Sequence, residues 1–147
     1  MIEEKKSSTI RYLTFDQIRV LYQLFFRRFQ EIGEPIPDWS FINQENIKHL
    51  IEIPKGSFFG VERYKTIESK AAAIFYHINK GHIFPNGNKR LSVACAVTFL
   101  ILNGYELTID ADAMTKKALE IANSDPNDFE KVKKDLAEWI KSSLIEY

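Results

Sequence analysis

The chain has 147 residues, which is enough to bury a hydrophobic core, and we expect a single domain over residues 1–147. Its 20 lysines and arginines equal its 20 aspartates and glutamates, and this balance argues against direct binding to nucleic acid or to an acidic membrane. The 13% aromatic content argues against disorder, and the single cysteine, Cys95, excludes an intrachain disulfide bond. The first eight residues are charged and polar, and no run of about 18 apolar residues follows, so we expect a cytoplasmic protein without a membrane segment.

Hydrophobic residues recur at spacings of three and four along most of the chain, and this periodicity predicts an all-α fold. The first helix is predicted to follow Thr14, which forms a capping-box pattern with Gln17, and to end before Gly33. Five more helices are predicted over roughly 44–52, 66–81, 88–102, 110–121 and 129–144. The segment 88–102 is apolar nearly all round, which predicts that it is the central, buried helix.

Two short stretches lack the helical pattern. Residues 105–109 alternate in hydrophobicity like a short strand. Residues 55–65, with the sequence KGSFFGVERYK, place two glycines among bulky side chains. This second pattern is compatible with a short hairpin or with an ordered loop.

The joint between the third and fourth predicted helices is strongly polar and has the sequence GHIFPNGNKRL from Gly81 to Leu91. A helix N-terminus has unpaired N–H groups and the positive end of the helix dipole, so it can hold a phosphate. Gly87 lets the backbone come close to a ligand. Lys89 and Arg90 place cations where they oppose the dipole. This indicates either a bound anion or two side chains that simply extend into water.

His82 lies one short loop away from this helix start. Histidine is the side chain best suited to take a proton from a hydroxyl near neutral pH, so His82 is a candidate general base. The alternative is that it only interacts with the C-terminal end of the preceding helix. Phe84 is predicted to fill the core and fix the loop, while Asn86 and Asn88 can stabilise a turn or orient a ligand.

The nine residues His82–Arg90, HIFPNGNKR, resemble the signature of the Fic/Doc family. That signature has histidine, phenylalanine, an acid or asparagine, glycine or alanine, asparagine and arginine at its first, third, fifth, sixth, seventh and ninth positions. The ending Asn-Lys-Arg is similar to the Doc (death-on-curing toxin) branch, whereas the Fic branch usually has Asn-Gly-Arg. The similarity extends from Phe59 to Leu107 and implies an all-α, compact Fic/Doc-like helical bundle with a short β-hairpin flap.

The resemblance also implies roles for the residues of the motif. His82 would be the general base toward a hydroxyl of a target protein, and Arg90 would take part in catalysis with it. Nucleotide binding would fall to the last five residues of the motif, namely Asn86, Gly87, Asn88, Lys89 and Arg90. The co-substrate would be ATP or another nucleoside triphosphate, accompanied by Mg²⁺.

The partners implied by the resemblance are proteins. The flap, which would pair with the target by strand addition, comprises Lys55, Gly56, Ser57, Phe58, Phe59 and Gly60. Doc-like toxins act on the translation elongation factor Tu and are restrained by a Phd-like antitoxin, so both are expected partners. Neither nucleic acid nor a membrane is expected to bind directly.

Two positions depart from the patterns of relatives. Active members commonly have an acid at the position of Asn86, where it helps to bind Mg²⁺, and an amide oxygen is a weaker ligand for this hard cation. Asn86 is therefore only a weak candidate metal ligand. Ser142 and Glu146 have the spacing of an inhibitory helix that some relatives carry, although Tyr147 breaks that motif.

The leading hypothesis is a Doc-like toxin that transfers a phosphate from ATP to a protein hydroxyl. A Fic-type transfer of AMP is the first alternative. A catalytically inactive member that binds nucleotide or protein is the second, and Asn86 motivates it. A plain helical scaffold would leave Lys89 and Arg90 at a helix start unexplained.

Overall fold

The computed structural model describes residues 9–147, so the expectation for the first eight residues lies outside the described chain. Six α-helices occupy this part: α1 (Phe15–Glu31), α2 (Gln44–Glu52), α3 (Ile67–Gly81), α4 (Asn88–Leu102), α5 (Ala111–Ala122) and α6 (Phe129–Lys141). The all-α prediction is therefore confirmed. None of the helices in residues 9–147 is long and apolar enough to cross a lipid bilayer.

Side-chain caps determine where several helices begin. Thr14 accepts a hydrogen bond from the Gln17 amide at 3.1 Å, and the Gln17 side chain accepts one from the Thr14 amide at 3.0 Å, as the capping-box pattern predicts. Thr66 and Ser69 form a second capping box at the start of α3. Asp110 caps α5 through the Ala113 amide. Each cap stabilises its helix by about 1 kcal/mol.

The core is centred on α3 and α4. Residues 71–76 of α3 are all buried, and α3 packs mainly against α4 and α6. Three consecutive alanines at 71–73 allow this close packing. On α4 the fully buried Cys95 is a core residue as predicted, and burial raises the pKa of its thiol to about 12.

The prediction that α4 is buried on all sides is wrong for one face. Val93, Ala94 and Val97 are only half-buried, and Ile101 is 49% exposed. The half-buried residues line an apolar groove of about 680 Å³ that α1 and α5 flank without closing. Helix α4 therefore has more apolar surface than it buries within this chain.

Two small antiparallel sheets of two strands each complete the fold. Strands β1 (Ser57–Phe58) and β2 (Val61–Glu62) pair with each other, so the segment predicted as hairpin or loop is a hairpin. Its two turn residues, Phe59 and Gly60, have φ values of 49° and 77°, a pattern typical of tight hairpin turns. The second sheet pairs β3 (Tyr105–Leu107), which was predicted as a strand, with the distant β4 (Leu144–Glu146).

Strand β4 corrects the predicted end of the last helix. Helix α6 stops at Lys141, and Leu144 lies opposite Leu107 instead of continuing the helix. The Ser142 hydroxyl donates to the Trp139 carbonyl at 2.7 Å, and the edge of β3 offers the following residues hydrogen-bonding partners. Because Glu146 lies in a strand, Ser142 and Glu146 do not form an inhibitory helix.

Candidate active site

His82 ends α3 in the left-handed conformation, with φ 48° and ψ 49°. In the described chain, His82 and Phe59 are the non-glycine residues with positive φ. This conformation costs an L-residue roughly 1–2 kcal/mol, although histidine tolerates it better than most residues do. The strain is associated with a sharp turn out of α3 that leaves the His82 side chain exposed.

Phe84 fixes the loop that follows. It is 1% exposed, and its ring stacks on Tyr22 at a centroid distance of 5.5 Å. Burial, together with the charge of Asp38, raises the pKa of Tyr22 to about 12, and the Tyr22 hydroxyl donates to the Pro37 carbonyl. The predicted core position of Phe84 is confirmed.

Asn88 closes the same loop. The Phe84 amide donates to Asn88 Oδ1 at 2.9 Å, and Asn88 Nδ2 donates to the Phe84 carbonyl at 2.7 Å. Asn86 Oδ1 accepts from the Gly87 amide at 2.8 Å. The Gly87 N–H, one of the groups expected to face a phosphate, is therefore used within the loop. The prediction of backbone phosphate binding then rests on the amides of residues 88–90.

Helix α4 begins after Gly87, whose φ of 79° explains the glycine at this position. No side chain caps α4 in the described chain, in contrast to α1, α2, α3 and α5. Lys89 and Arg90 are exposed in its first turn. The Arg90 guanidinium lies 5.0 Å from the centre of the Phe29 ring, so it is held by a cation–π contact and does not simply extend into water.

A cavity of about 630 Å³ lies in front of this helix start, a size typical of sites for small molecules. The motif contributes one wall, which includes His82 and all five predicted nucleotide-binding residues. Phe29 on α1 and Glu34 and Ile36 in the segment after it also line the cavity. The remaining lining residues come from α3, from the end of α5 and from the turn that follows it: Tyr76, Asn79, Lys80, Ala122 and Pro126.

The wall residues outside the motif were not predicted from the sequence. Lys80 Nζ donates to the carbonyls of Ala122 and Ser124 at 3.2 and 2.6 Å, which holds the end of α5 against the cavity. The buried Asn79 donates to the Ala118 carbonyl at 3.0 Å. Burial raises the pKa of Tyr76. In the sequence these residues are ordinary members of a helix, and no local pattern distinguishes them.

The cavity could hold a metal ion that is coordinated mainly by a bound phosphate ligand. Residues 9–147 contain no cluster of three or more histidine, cysteine or acidic side chains that would hold a metal by itself. Glu34 supplies one carboxylate to the cavity, whereas the Asn86 oxygen is engaged by the Gly87 amide. Magnesium commonly takes one or two protein oxygens, with phosphate and water oxygens completing its shell. The residues present fit this arrangement.

The predicted flap residues are separate from this cavity. Within the described residues, none of Lys55 to Gly60 lines it. Phe59 at the hairpin tip is 91% exposed, and Val61 on β2 is also exposed. The candidate site therefore has two parts, a polar cavity at α4 and an apolar hairpin tip.

Comparison with known proteins agrees with this architecture. Residues 12–100, more than half of the chain, match the family model described as the Fic/DOC family, and the chain belongs to that family. It is also similar to Toxin Doc from Mycolicibacterium smegmatis, with 36% identity over 74 residues that cover 49% of this chain and 57% of that protein. The match thus spans little more than half the length of that relative. No solved structure matches the chain significantly.

Proposed function

We propose that the protein transfers the terminal phosphate of ATP, or of another nucleoside triphosphate, to a hydroxyl group of a target protein. The observation that carries this proposal is the shared cavity of His82, Lys89, Arg90 and the uncapped start of α4. A candidate base and an anion-binding helix end thus open into the same space. Family membership and the similarity to Toxin Doc support the same class of activity.

A triphosphate accounts for the charges at the start of α4. The free amides and the dipole favour an anion at this end of the helix, by about 0.3–1 kcal/mol for the dipole alone. Lys89 and Arg90 oppose the dipole until an anion neutralises them. Arg90, fixed over Phe29, can donate two hydrogen bonds to one phosphate group.

The proposed reaction assigns one step to each group. His82 accepts the proton of the target hydroxyl, and the hydroxyl oxygen forms a bond to the γ-phosphorus. The bond between the γ-phosphorus and the oxygen that bridges it to the β-phosphate breaks, and the nucleoside diphosphate leaves. Lys89 and Arg90 neutralise the charge on the phosphate oxygens. Mg²⁺ bound to those phosphates would neutralise further charge, with the Glu34 carboxylate as a protein ligand and the Asn86 oxygen, which the Gly87 amide already engages, as a weaker one.

The hairpin is proposed to hold the target chain. A short, exposed β-ribbon can add an extended segment of another protein to its edge through backbone hydrogen bonds. Phe59 and Val61 add apolar contacts for target side chains. Elongation factor Tu is the first target to test, because the Doc-like toxins that the sequence resembles act on it.

Parallel reactions with γ-labelled and α-labelled ATP test the proposal, with a bacterial lysate or purified elongation factor Tu as target. We expect label on a protein from γ-labelled ATP only. Label from α-labelled ATP would instead establish AMP transfer. Nucleotide binding without any labelled protein would favour the inactive, binding-only member of the family.

We further propose that a Phd-like antitoxin binds in the apolar groove between α1, α4 and α5. Lys89 and Arg90 line this groove as well as the cavity, so a helix with an apolar face and a terminal acid would fit both its floor and its basic end. The half-buried Val93 and Val97 of α4 would be covered by such a helix.

A growth assay tests the antitoxin proposal. Leu119→Asp changes an exposed residue of the groove, and Leu24→Asp is the matched control because Leu24 is similarly exposed but lies outside the groove. We expect growth arrest by wild type to be relieved by a small protein encoded beside this gene. The small protein should fail to relieve growth arrest by Leu119→Asp, whereas it should still relieve growth arrest by Leu24→Asp. Equal relief of both variants would place the antitoxin elsewhere.

A further inference from the structure

Two buried lysines lie at the base of the hairpin. Lys70 on α3 is 2% exposed, and Lys133 on α6 is 5% exposed. Lysine is almost never this buried unless its ammonium group is fully paired. The partners of these two groups therefore indicate what the burial achieves.

Lys70 connects the two ends of the segment that carries the hairpin. Its Nζ donates to the carbonyl of Pro54, before β1, at 3.4 Å, and to the carbonyl of Tyr64, after β2. It also lies 3.6 Å from Glu62 Oε1 on β2. A single ammonium group thus joins the entry and the exit of the hairpin to the helix that leads to His82.

Within the segment that carries the hairpin, Lys133 contacts only the part that follows β2. Its Nζ donates to the Tyr64 hydroxyl at 2.9 Å and lies 3.3 Å from Glu130 Oε1. Arg63 donates to the same Glu130 oxygen at 2.8 Å, while the Arg63 amide closes the hairpin by donating to the Gly56 carbonyl at 3.0 Å. Burial acts to raise the pKa of Glu130, but the hydrogen bonds from Arg63 and Lys133 outweigh it and lower that pKa.

We infer that Lys70 is a positioning residue for the protein target, because it fixes the hairpin before the target binds. A two-stranded hairpin of two residues a side is not stable in water by itself, so its shape depends on contacts at its base. An edge that is already ordered binds an extended chain more tightly than one that must be ordered on binding. The part of this inference that concerns the target rests on the proposed function.

Hydrogen exchange tests the positioning role without reference to activity. Lys70→Met keeps the length of the apolar stem and removes the ammonium group. The control is Lys117→Met, which removes a lysine that is partly buried on α5 over Trp139. We expect the Arg63 amide to exchange roughly tenfold faster or more in Lys70→Met, since hydrogen bonds to a charged group are lost. In Lys70→Met, exchange at α4 amides such as that of Cys95 should stay unchanged. In the control Lys117→Met, exchange should stay unchanged at all of these amides.

A uniform rise in exchange across the hairpin and α4 would overturn the inference, because Lys70 would then act only on global stability. If Lys70→Met fails to fold, Lys70→Gln, which removes the charge but keeps a polar amide group, carries the same test with the same criterion. In the transfer assay, the KM for the protein target should rise roughly tenfold while the KM for ATP stays unchanged. If the wild-type protein modifies no target, the proposed function is wrong, but the hydrogen-exchange result for Lys70 still holds.

Discussion

Asn88 contacts the backbone of Phe84 at both of its polar groups, accepting from the amide at 2.9 Å and donating to the carbonyl at 2.7 Å. Asparagine can do both because its side chain carries one acceptor oxygen and one donor nitrogen. Phe84 is fixed in the core, and Asn88 is the first residue of α4. The pair therefore determines where the loop places the start of α4 relative to His82.

Asn88→Asp should destabilise the protein by about 1–3 kcal/mol, because the donor to the Phe84 carbonyl is replaced by an oxygen that faces it. The added negative charge at a helix start would recover only about 0.3–1 kcal/mol. Urea unfolding at pH 7 measures the difference, and Asn127→Asp, at an exposed position of the short 3₁₀ helix Pro126–Asp128, is the control. Equal stability of the two variants would contradict a structural role for the Asn88 amide.

His82→Asn should abolish target modification and leave the fold unchanged. An amide cannot take up a proton at neutral pH, and a positioned base contributes roughly 10²–10⁴-fold to such reactions. Asparagine also tolerates the left-handed conformation of this residue, so backbone strain does not confound the result. The rate of labelling and the thermal midpoint are measured together. Labelling at the wild-type rate would show that His82 is not the base.

Arg90→Ala should weaken ATP binding by roughly tenfold or more, because hydrogen bonds from a charged donor to phosphate are lost. Arg28→Ala is the matched control, since Arg28 is an exposed arginine paired with Glu31 on α1. Calorimetric titration with a non-hydrolysable ATP analogue gives both affinities. If the affinity of Arg90→Ala for the analogue is unchanged, Arg90 does not bind the nucleotide and its role is only to pack on Phe29.

Lys89→Gly should shift the reaction from phosphate transfer toward AMP transfer. The lysine adds a cation and occupies space at the start of α4, and under the proposed function it would favour the nucleotide orientation that presents the γ-phosphate to the target. The mass of the modified target distinguishes a phosphate from an AMP adduct in wild type and variant. A wild-type adduct with the mass of AMP would refute the assignment to Lys89.

The Mg²⁺ requirement should respond in opposite directions to two substitutions. Asn86→Asp adds a carboxylate to the cavity and should lower the Mg²⁺ concentration for half-maximal activity, whereas Glu34→Gln removes one and should raise it. Titration of Mg²⁺ at fixed ATP provides the measurement. If both variants match wild type, the metal is held by the phosphates alone.

The helices could be predicted because their signals are local. Thr14, Thr66 and Asp110 cap helices where the sequence indicates, and hydrophobic periodicity gives their extents. The motif residues from His82 to Arg90 likewise come together at a helix junction that the sequence predicts.

The remaining features depend on contacts between distant segments. Strand β4 forms because the edge of β3, some forty residues earlier in the chain, is available to it. Lysine side chains normally extend into water, so the sequence does not indicate that Lys70 and Lys133 are buried, and only the tertiary structure shows their partners. Glu34 enters the cavity because the chain turns after α1, which periodicity does not describe.

Under the proposed function, the left-handed backbone at His82 means that catalysis and stability make opposite demands on a single residue. Glycine adopts this conformation without the cost of roughly 1 kcal/mol or more that a β-carbon imposes, so His82→Gly would relax the end of α3 while removing the candidate base. Under the proposed function, the more stable version of this junction would therefore be the inactive one. If selection for the reaction were relaxed, descendants of this gene would be expected to lose the histidine early, and to gain stability as they did so.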